Sequence, residues 1–314
     1  MTLRRPLAYA VLLFLAVSCG PQKEEETTTK GHLRVLVSES VAPVIIQGVQ
    51  KFMNLYQAHG ADVTYTIDQS AAVNAHFVHD TARAIITTIQ LTPEEKERVK
   101  NTTENLVEIV LGYDGVIAVV QTENPLKKLG LDKIRRILQG KATTWKQIGN
   151  SHLGNDWIHL VFQDSSDVSM YLRQRLLAGG EIKAKFRQTR SASQTLNTVA
   201  RDPLALGFVG LDWADSAGSK VKVLDLAADS SLADTTFKPP PETIGKAYSP
   251  HPAHIYLNYY PMKRAIYIYA RTSPADFATG FASYLGSPPG QKIFLEQGLV
   301  PGTQKIVLRP TGGQ

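Results

Sequence analysis

Hydroxyl side chains collect at three places in this chain where an apolar run gives way to a helical pattern. Ser38-Glu39-Ser40 follows Leu33 to Val37 and precedes a helix with Val44, Ile45, Val49, Phe52 and Leu55 on one face. Gln163-Asp164-Ser165-Ser166-Asp167-Val168-Ser169 lies between the strand end Leu160-Val161-Phe162 and a helical repeat of Tyr171, Leu172, Leu176 and Leu177. Arg190-Ser191-Ala192-Ser193 precedes Leu196, Val199 and Ala200. The first turn of a helix carries N–H groups with no partner inside the helix, at the positive end of its dipole. A strand, an elbow and a helix therefore aim donors at an anion. Ser and Asp are also ordinary helix caps, so one elbow alone says only that a helix begins. Three elbows, together with Thr87 and Thr88 at the end of the buried run Ala84 to Thr88, predict one shared anion pocket.

The same residues argue against catalysis. Hydrolysis needs a nucleophile with a base and an orienting group. These serines stand at helix starts, none lies in a G-x-S-x-G elbow, and the one cysteine, Cys19, is at the N-terminus. No enzyme activity and no cofactor are expected. His76 and His79 stand at i, i+3, a spacing open to a metal pair, but the surface of an amphipathic helix is the simpler account and no metal is assigned. His251-Pro252-Ala253-His254 has turn chemistry.

The chain has 314 residues, enough for two domains with sizeable cores, and its composition is that of a globular protein. Arg4-Arg5 followed by the apolar run Leu7 to Val17 has the form of a signal peptide and is too short to span a bilayer. The run ends Ala16-Val17-Ser18-Cys19, which resembles a bacterial lipobox, so residues 1–18 are expected to be removed and Cys19 lipidated. Of the net charge of +6, Arg4 and Arg5 supply two, leaving +4 without a basic block. That pattern does not point to nucleic acid. Residues 19–31, polar and without apolar periodicity, read as a flexible tether. The expected location is the cell envelope, lipid-anchored and facing the periplasm or the cell surface, with a monomer as the expected state.

Further along, strands at Val63 to Ile67, Ala84 to Thr88, Ala205 to Leu211 and Ala265 to Ala270 alternate with helical segments at Ala71 to Arg83, Asn124 to Leu138, Phe277 to Leu285 and Gly290 to Gln297. Such alternation predicts an α/β fold with mainly parallel sheets. Between the apolar runs of Val107 to Val120, the break Gly112-Tyr113-Asp114-Gly115 is where the chain could cross between two domains.

Asp114 to Val120, Asn124-Pro125, Leu131-Asp132-Lys133-Ile134, Gly140-Lys141, Trp145-Lys146, Gly207-Phe208-Val209-Gly210, Tyr260-Pro261 with Arg264 to Tyr269, and Ser287 to Lys292 occur in an order that resembles the phosphate-binding component of ABC phosphate transporters. The resemblance runs from about Leu33 to Pro301 and implies a two-lobe periplasmic-binding-protein fold (type II-like). One lobe is expected over 32–115 plus 256–314 and the other over 116–255, with phosphate or a related small anion in the cleft. An ABC permease and an ATPase subunit are the implied partners. The implied ligand contacts are Ser38, Glu39, Ser40, Thr87, Thr88, Gln163, Ser166, Asp167, Ser169 and Arg190. At the second-lobe elbow, Gln163 stands where the family has Arg, Ser166 and Val168 where it has Gly, Asp167 for its Ser, and Ser169 for its Thr. The family's cleft Asp falls on Arg83 and its following Arg on Ile89.

These departures change the chemistry. Losing the Arg removes a bidentate partner for a phosphate oxygen. Asp167 puts a carboxylate where a dianion would sit, and a like charge at about 4 Å costs roughly 4 kcal/mol at an effective dielectric near 20. Arg83 and Asp167 could pair across the cleft, hold the two ends of a zwitterionic ligand, or both simply be solvated. The alternatives are therefore the same scaffold with a zwitterionic or neutral ligand, or a surface adhesion or signalling lipoprotein.

Overall fold

The structure, a computed structural model, describes residues 25–150, 152–231 and 236–305; the expected signal segment and Cys19 lie outside the described residues. In chain order the elements are β1 (Gly31–Ser38), α1 (Ala42–Tyr56), β2 (Ala61–Asp68), α2 (Ser70–Val78), β3 (Ala84–Thr87), α3 (Pro93–Lys100) and β4 (Asn105–Gln121). Next come β5 (Lys128–Gly130), α4 (Leu131–Leu138), β6 (His159–Phe162), α5 (Asp167–Leu177), β7 (Phe186–Gln188), α6 (Ala192–Val199), β8 (Ala205–Gly210), β9 (Val221–Val223) and β10 (Asp225–Ala227). The chain ends with β11 (Ala247–Tyr248), α7 (Pro252–Tyr256), β12 (Lys263–Thr272), α8 (Phe277–Gly286), α9 (Pro288–Glu296) and β13 (Val300–Pro301).

Two helix-covered sheets share one strand. β4 is 17 residues long, and it pairs with β12 from Asn105 to Gly115 and with β8 from Val116 onward. In the first lobe β2, β1 and β3 run parallel; in the second β7, β6 and β8 do. Each sheet is mixed rather than mainly parallel. β4 carries the chain out of the first lobe and β12 brings it back alongside, so those two must run antiparallel and they add antiparallel edges to both parallel sets.

Separate cores fix the lobes. Phe52 of α1 packs on Phe277 and Phe281 of α8 with centroids 5.8 and 5.2 Å apart, over Leu33, Val35 and Val37 of β1. In the second lobe Trp145, Phe162, Leu172 and Leu196 close over Val116 to Val120. Two expected helices are shorter than their sequence patterns. α2 stops at Val78 because Asp80 takes a left-handed backbone, φ 60°. The segment from Asn124 becomes helical only at Leu131: Pro125 lacks a donor, Asn124 Oδ1 accepts the Leu126 N–H at 3.0 Å in a turn, and Lys128–Gly130 pairs with β10. The end of the expected tether is not free: Thr27 and Lys30 form a bridge and Glu26 bonds Arg83.

Candidate functional site

Parallel strands finish at the same edge of a sheet, and ligands of such sheets bind off those carboxyl ends. In the first lobe that edge collects alcohols. Ser38 ends β1, opposite Asp68 of β2, so Ser70, the first residue of α2, lies close by; β3 ends at Thr87 and is followed by Thr88. From the second lobe the first residue of α5, Asp167, enters this group.

The donors converge on one atom, Asp167 Oδ2. Ser38 Oγ donates to it at 2.8 Å, Ser70 Oγ at 3.1 Å and Thr88 Oγ1 at 2.6 Å, and Ser40 Oγ makes a short bond to it. Arg264 Nη1 approaches at 3.4 Å. Arg264 is the second residue of β12, and its register partner is Asp114 on β4. That pairing holds the guanidinium: Nε and Nη2 donate to Asp114 Oδ2 at 3.0 and 2.5 Å, and Asp114 Oδ1 accepts the Gly115 N–H at 2.6 Å. Gly210, at the end of β8, makes room here, because a Cβ on it would lie 2.6 Å from the Ser40 carbonyl oxygen and 2.8 Å from Arg264 Nη2.

Charge and burial oppose each other at this point. Asp167, Asp114 and Arg264 are all buried. Burial is the largest influence on Asp167 and pushes its pKa up; the Arg264 charge and the hydroxyl bonds outweigh it and hold the carboxyl below its ordinary range. Burial would lower the Arg264 pKa, but Asp114 and Asp167 together raise it, so the guanidinium is charged. A carboxylate oxygen offers about two lone-pair directions. Five donors surround Oδ2, while Oδ1, equally buried, has no hydrogen-bond partner among the described residues. The seat holds more donor capacity than one carboxylate oxygen can use.

Two further carboxylates bridge the lobes. Glu39, from the first elbow, accepts the Ala192 N–H at the start of α6 at 2.9 Å. Asp212, just after β8, accepts the Val44 N–H in the first turn of α1 at 2.9 Å. Trp213 Nε1 donates to the Glu39 carbonyl at 3.0 Å. Burial raises the Glu39 pKa, which the Ala192 N–H only partly offsets.

Of the residues expected to line a shared pocket, Ser38, Ser40, Thr88 and Asp167 meet at the seat, and Glu39 reaches the opposite lobe beside it. The others are engaged locally. Thr87 Oγ1 accepts the Ile89 N–H at 3.2 Å, and Gln163 contributes its carbonyl to Ser166 Oγ at 2.6 Å. Ser166 caps α5 through the Ser169 N–H, and Ser169 Oγ turns back to the Ser166 carbonyl at 2.8 Å. Arg190 is exposed, and its backbone N–H bonds Gln194 Oε1. Arg83 does not pair with Asp167. It precedes β3, at the opposite end of that strand from Thr88, and binds Glu26 at 2.6 Å and Asp276 at 2.9 Å. His76 Nδ1 lies 2.8 Å from Thr81 Oγ1, and among the described residues no cluster of three or more His, Cys, Asp or Glu is placed to hold a metal.

Sequence reasoning missed Ser70, Asp114 and Arg264. Ser70 follows β2 as Ser38 follows β1, so the same strand-to-helix junction signals it. Asp114 and Arg264 are charged residues at the borders of long apolar runs, a sign of a buried ion pair.

Known proteins share this architecture. The phosphate-binding protein PstS of Borreliella burgdorferi is 25% identical over 304 residues, 94% of this chain and 96% of that protein. PstS of Bacillus subtilis is 23% identical over 321 residues, 98% and 96% of the two chains. A phosphate ABC transporter substrate-binding protein of Clostridium perfringens, solved with bound phosphate, superposes with a TM-score of 0.65 at 18% identity, over 86% of this chain and 99% of that one. An ABC-type phosphate transport receptor of Vibrio cholerae gives 0.63 at 21% identity, over 85% and 99%. The family model for the PBP superfamily domain matches residues 22–289, most of the chain. With two sheets joined through β4 and β12 and a donor-lined seat between them, this chain belongs to the PBP superfamily domain family.

Proposed function

We propose that this protein is an extracytoplasmic solute-binding protein that captures phosphate or a related small oxyanion between its lobes for ABC-type uptake, without catalysis. One observation carries this reading: four alcohols and a buried guanidinium converge on a single oxygen position, with more donors than that oxygen can accept. A tetrahedral oxyanion spreads its charge over several oxygens and can satisfy such a set. The names of the relatives, phosphate-binding proteins of ABC transporters, favour the same ligand class and imply a permease and an ATPase as partners. The lobes divide at Gly115/Val116, where β4 changes partner, so the first lobe takes 32–115 plus the segment from about 256, and the second 116–255. Cys19 anchors the mature monomer to a membrane; no described helix is long and apolar enough to cross one.

The test is thermal melting of the full chain with phosphate, sulfate and methylphosphonate up to tens of millimolar. A ligand of the folded state raises the melting temperature with the logarithm of its concentration. One of these oxyanions is expected to do so and chloride is not; no rise with any of the three overturns the reading.

A further inference from the structure

We propose that the Asp167 carboxylate is a built-in occupant of the anion seat, which an incoming oxyanion must displace. This deepens the reading above and rests on it. Asp167 Oδ2 lies within hydrogen-bond distance of every hydroxyl of the seat, Ser70 Oγ reaching Ser38 Oγ at 2.7 Å as well, and of the Arg264 guanidinium that already pairs with Asp114. Its second oxygen is buried without a partner among the described residues, so the fit is that of a two-oxygen group in a seat built for more.

α5 is fastened to the crossing segment, which holds the Asp167 backbone at the seat. Arg175 donates to the Pro261 carbonyl at 2.9 Å through Nη2 and at 3.2 Å through Nε, and Tyr171 Oη donates to the Lys263 carbonyl at 2.7 Å. The carboxylate therefore leaves either by turning its side chain out of these hydrogen bonds or by a movement of α5 that breaks the ties to Pro261 and Lys263. Glu39 at α6 and Asp212 at α1 hold the same two surfaces together from either side. The titratable and charged groups around Asp167 are Arg264 and Asp114 on the crossing strands and Glu39 on the first elbow.

Such a tethered competitor lowers apparent affinity by the fraction of molecules whose seat is free. A seat occupied 99 times in a hundred imposes roughly a hundredfold penalty. It also selects: a ligand has to compete for Arg264 and at least four hydroxyls at once, which neutral solutes do poorly.

The experiment is isothermal titration calorimetry of the full chain and its Asp167→Ser variant with inorganic phosphate and sulfate, alongside Trp213 emission, since the indole bridges the lobes. The variant is expected to bind one of these oxyanions at least a hundredfold more tightly than the native chain. Trp213 emission is expected to change with ligand in the variant at micromolar concentration and in the native protein only at millimolar concentration. Native binding in the micromolar range, unchanged or weakened in Asp167→Ser, overturns the inference and leaves the oxyanion reading standing. No binding by either protein overturns the oxyanion reading itself. Should Asp167→Ser not fold, the similarly shaped Asp167→Asn is titrated instead: a tenfold gain or more supports the inference, and no gain overturns it.

Discussion

Asp167 and Glu39 cross the cleft in opposite directions and arrive in unlike surroundings. Asp167 reaches four hydroxyls and a guanidinium; Glu39 reaches one backbone N–H at the start of α6. Both are buried or nearly so, yet the Asp167 pKa is lowered and the Glu39 pKa is raised. A short helix start by itself does not offset the desolvation of a carboxylate. A formal positive charge with convergent hydroxyls does, and this is why the first-lobe seat, rather than the α6 elbow, is the proposed anion site.

The largest effect tests the charge. Arg264→Met leaves Asp114 and Asp167 buried without their cation, and removing one partner of a buried ionic group costs about 3–5 kcal/mol. Urea unfolding at pH 7 should show a loss of that size; a loss below about 1 kcal/mol would mean that the hydroxyls alone carry the carboxylate. A smaller effect tests the donor surplus. Thr88→Val removes one of five donors from an oxygen that cannot use them all. The expected cost is therefore about 1 kcal/mol, below the roughly 1.5–3 kcal/mol usual for a bond to a charged group. A cost above about 3 kcal/mol would show that the surplus is not real.

The smallest effect belongs to the other carboxylate. Glu39→Gln keeps an acceptor for the Ala192 N–H and removes a charge that burial disfavours, so stability at pH 7 should stay within about 1 kcal/mol of the parent. The pH profile separates the two acids. Since the folded Glu39 pKa lies above its unfolded value near 4.3, the folded state holds that proton longer, and stability falls as pH rises through the raised value. Glu39→Gln should abolish that slope. Asp167 works the other way: its contribution is present above about pH 4 and is lost as pH falls through its lowered value. Urea midpoints from pH 3 to 8 read both, and a native profile that is flat above pH 4.5 would contradict the assignment for Glu39.

Much of this site was legible in the residues because local chemistry produced it. Ser38, Ser40 and Thr88 follow apolar runs whose parallel pairing brings their ends to one edge, and Asp167 opens a helix after a strand of the same kind. Ser166 and Ser169 showed the same local signal and spent it on their own helix cap. Nothing in the spacing separates a hydroxyl that caps from one that faces a ligand. Arg83 was misjudged because a strand has two ends, and only the fold says which one meets the cleft. Arg264 stayed hidden since its role depends on a partner 150 residues away, fixed by the register of β12 on β4.

That shared ladder has a mechanical consequence. β4 is one unbroken beam through both halves, stiffened along its first part by β12, with a single irregularity in their register between Ile266 and Tyr267. A beam of this sort flexes and springs back where a loose linker would swivel. The two halves should consequently trade places between gaping and shut along one elastic twist, and heat should undo them together in a single step.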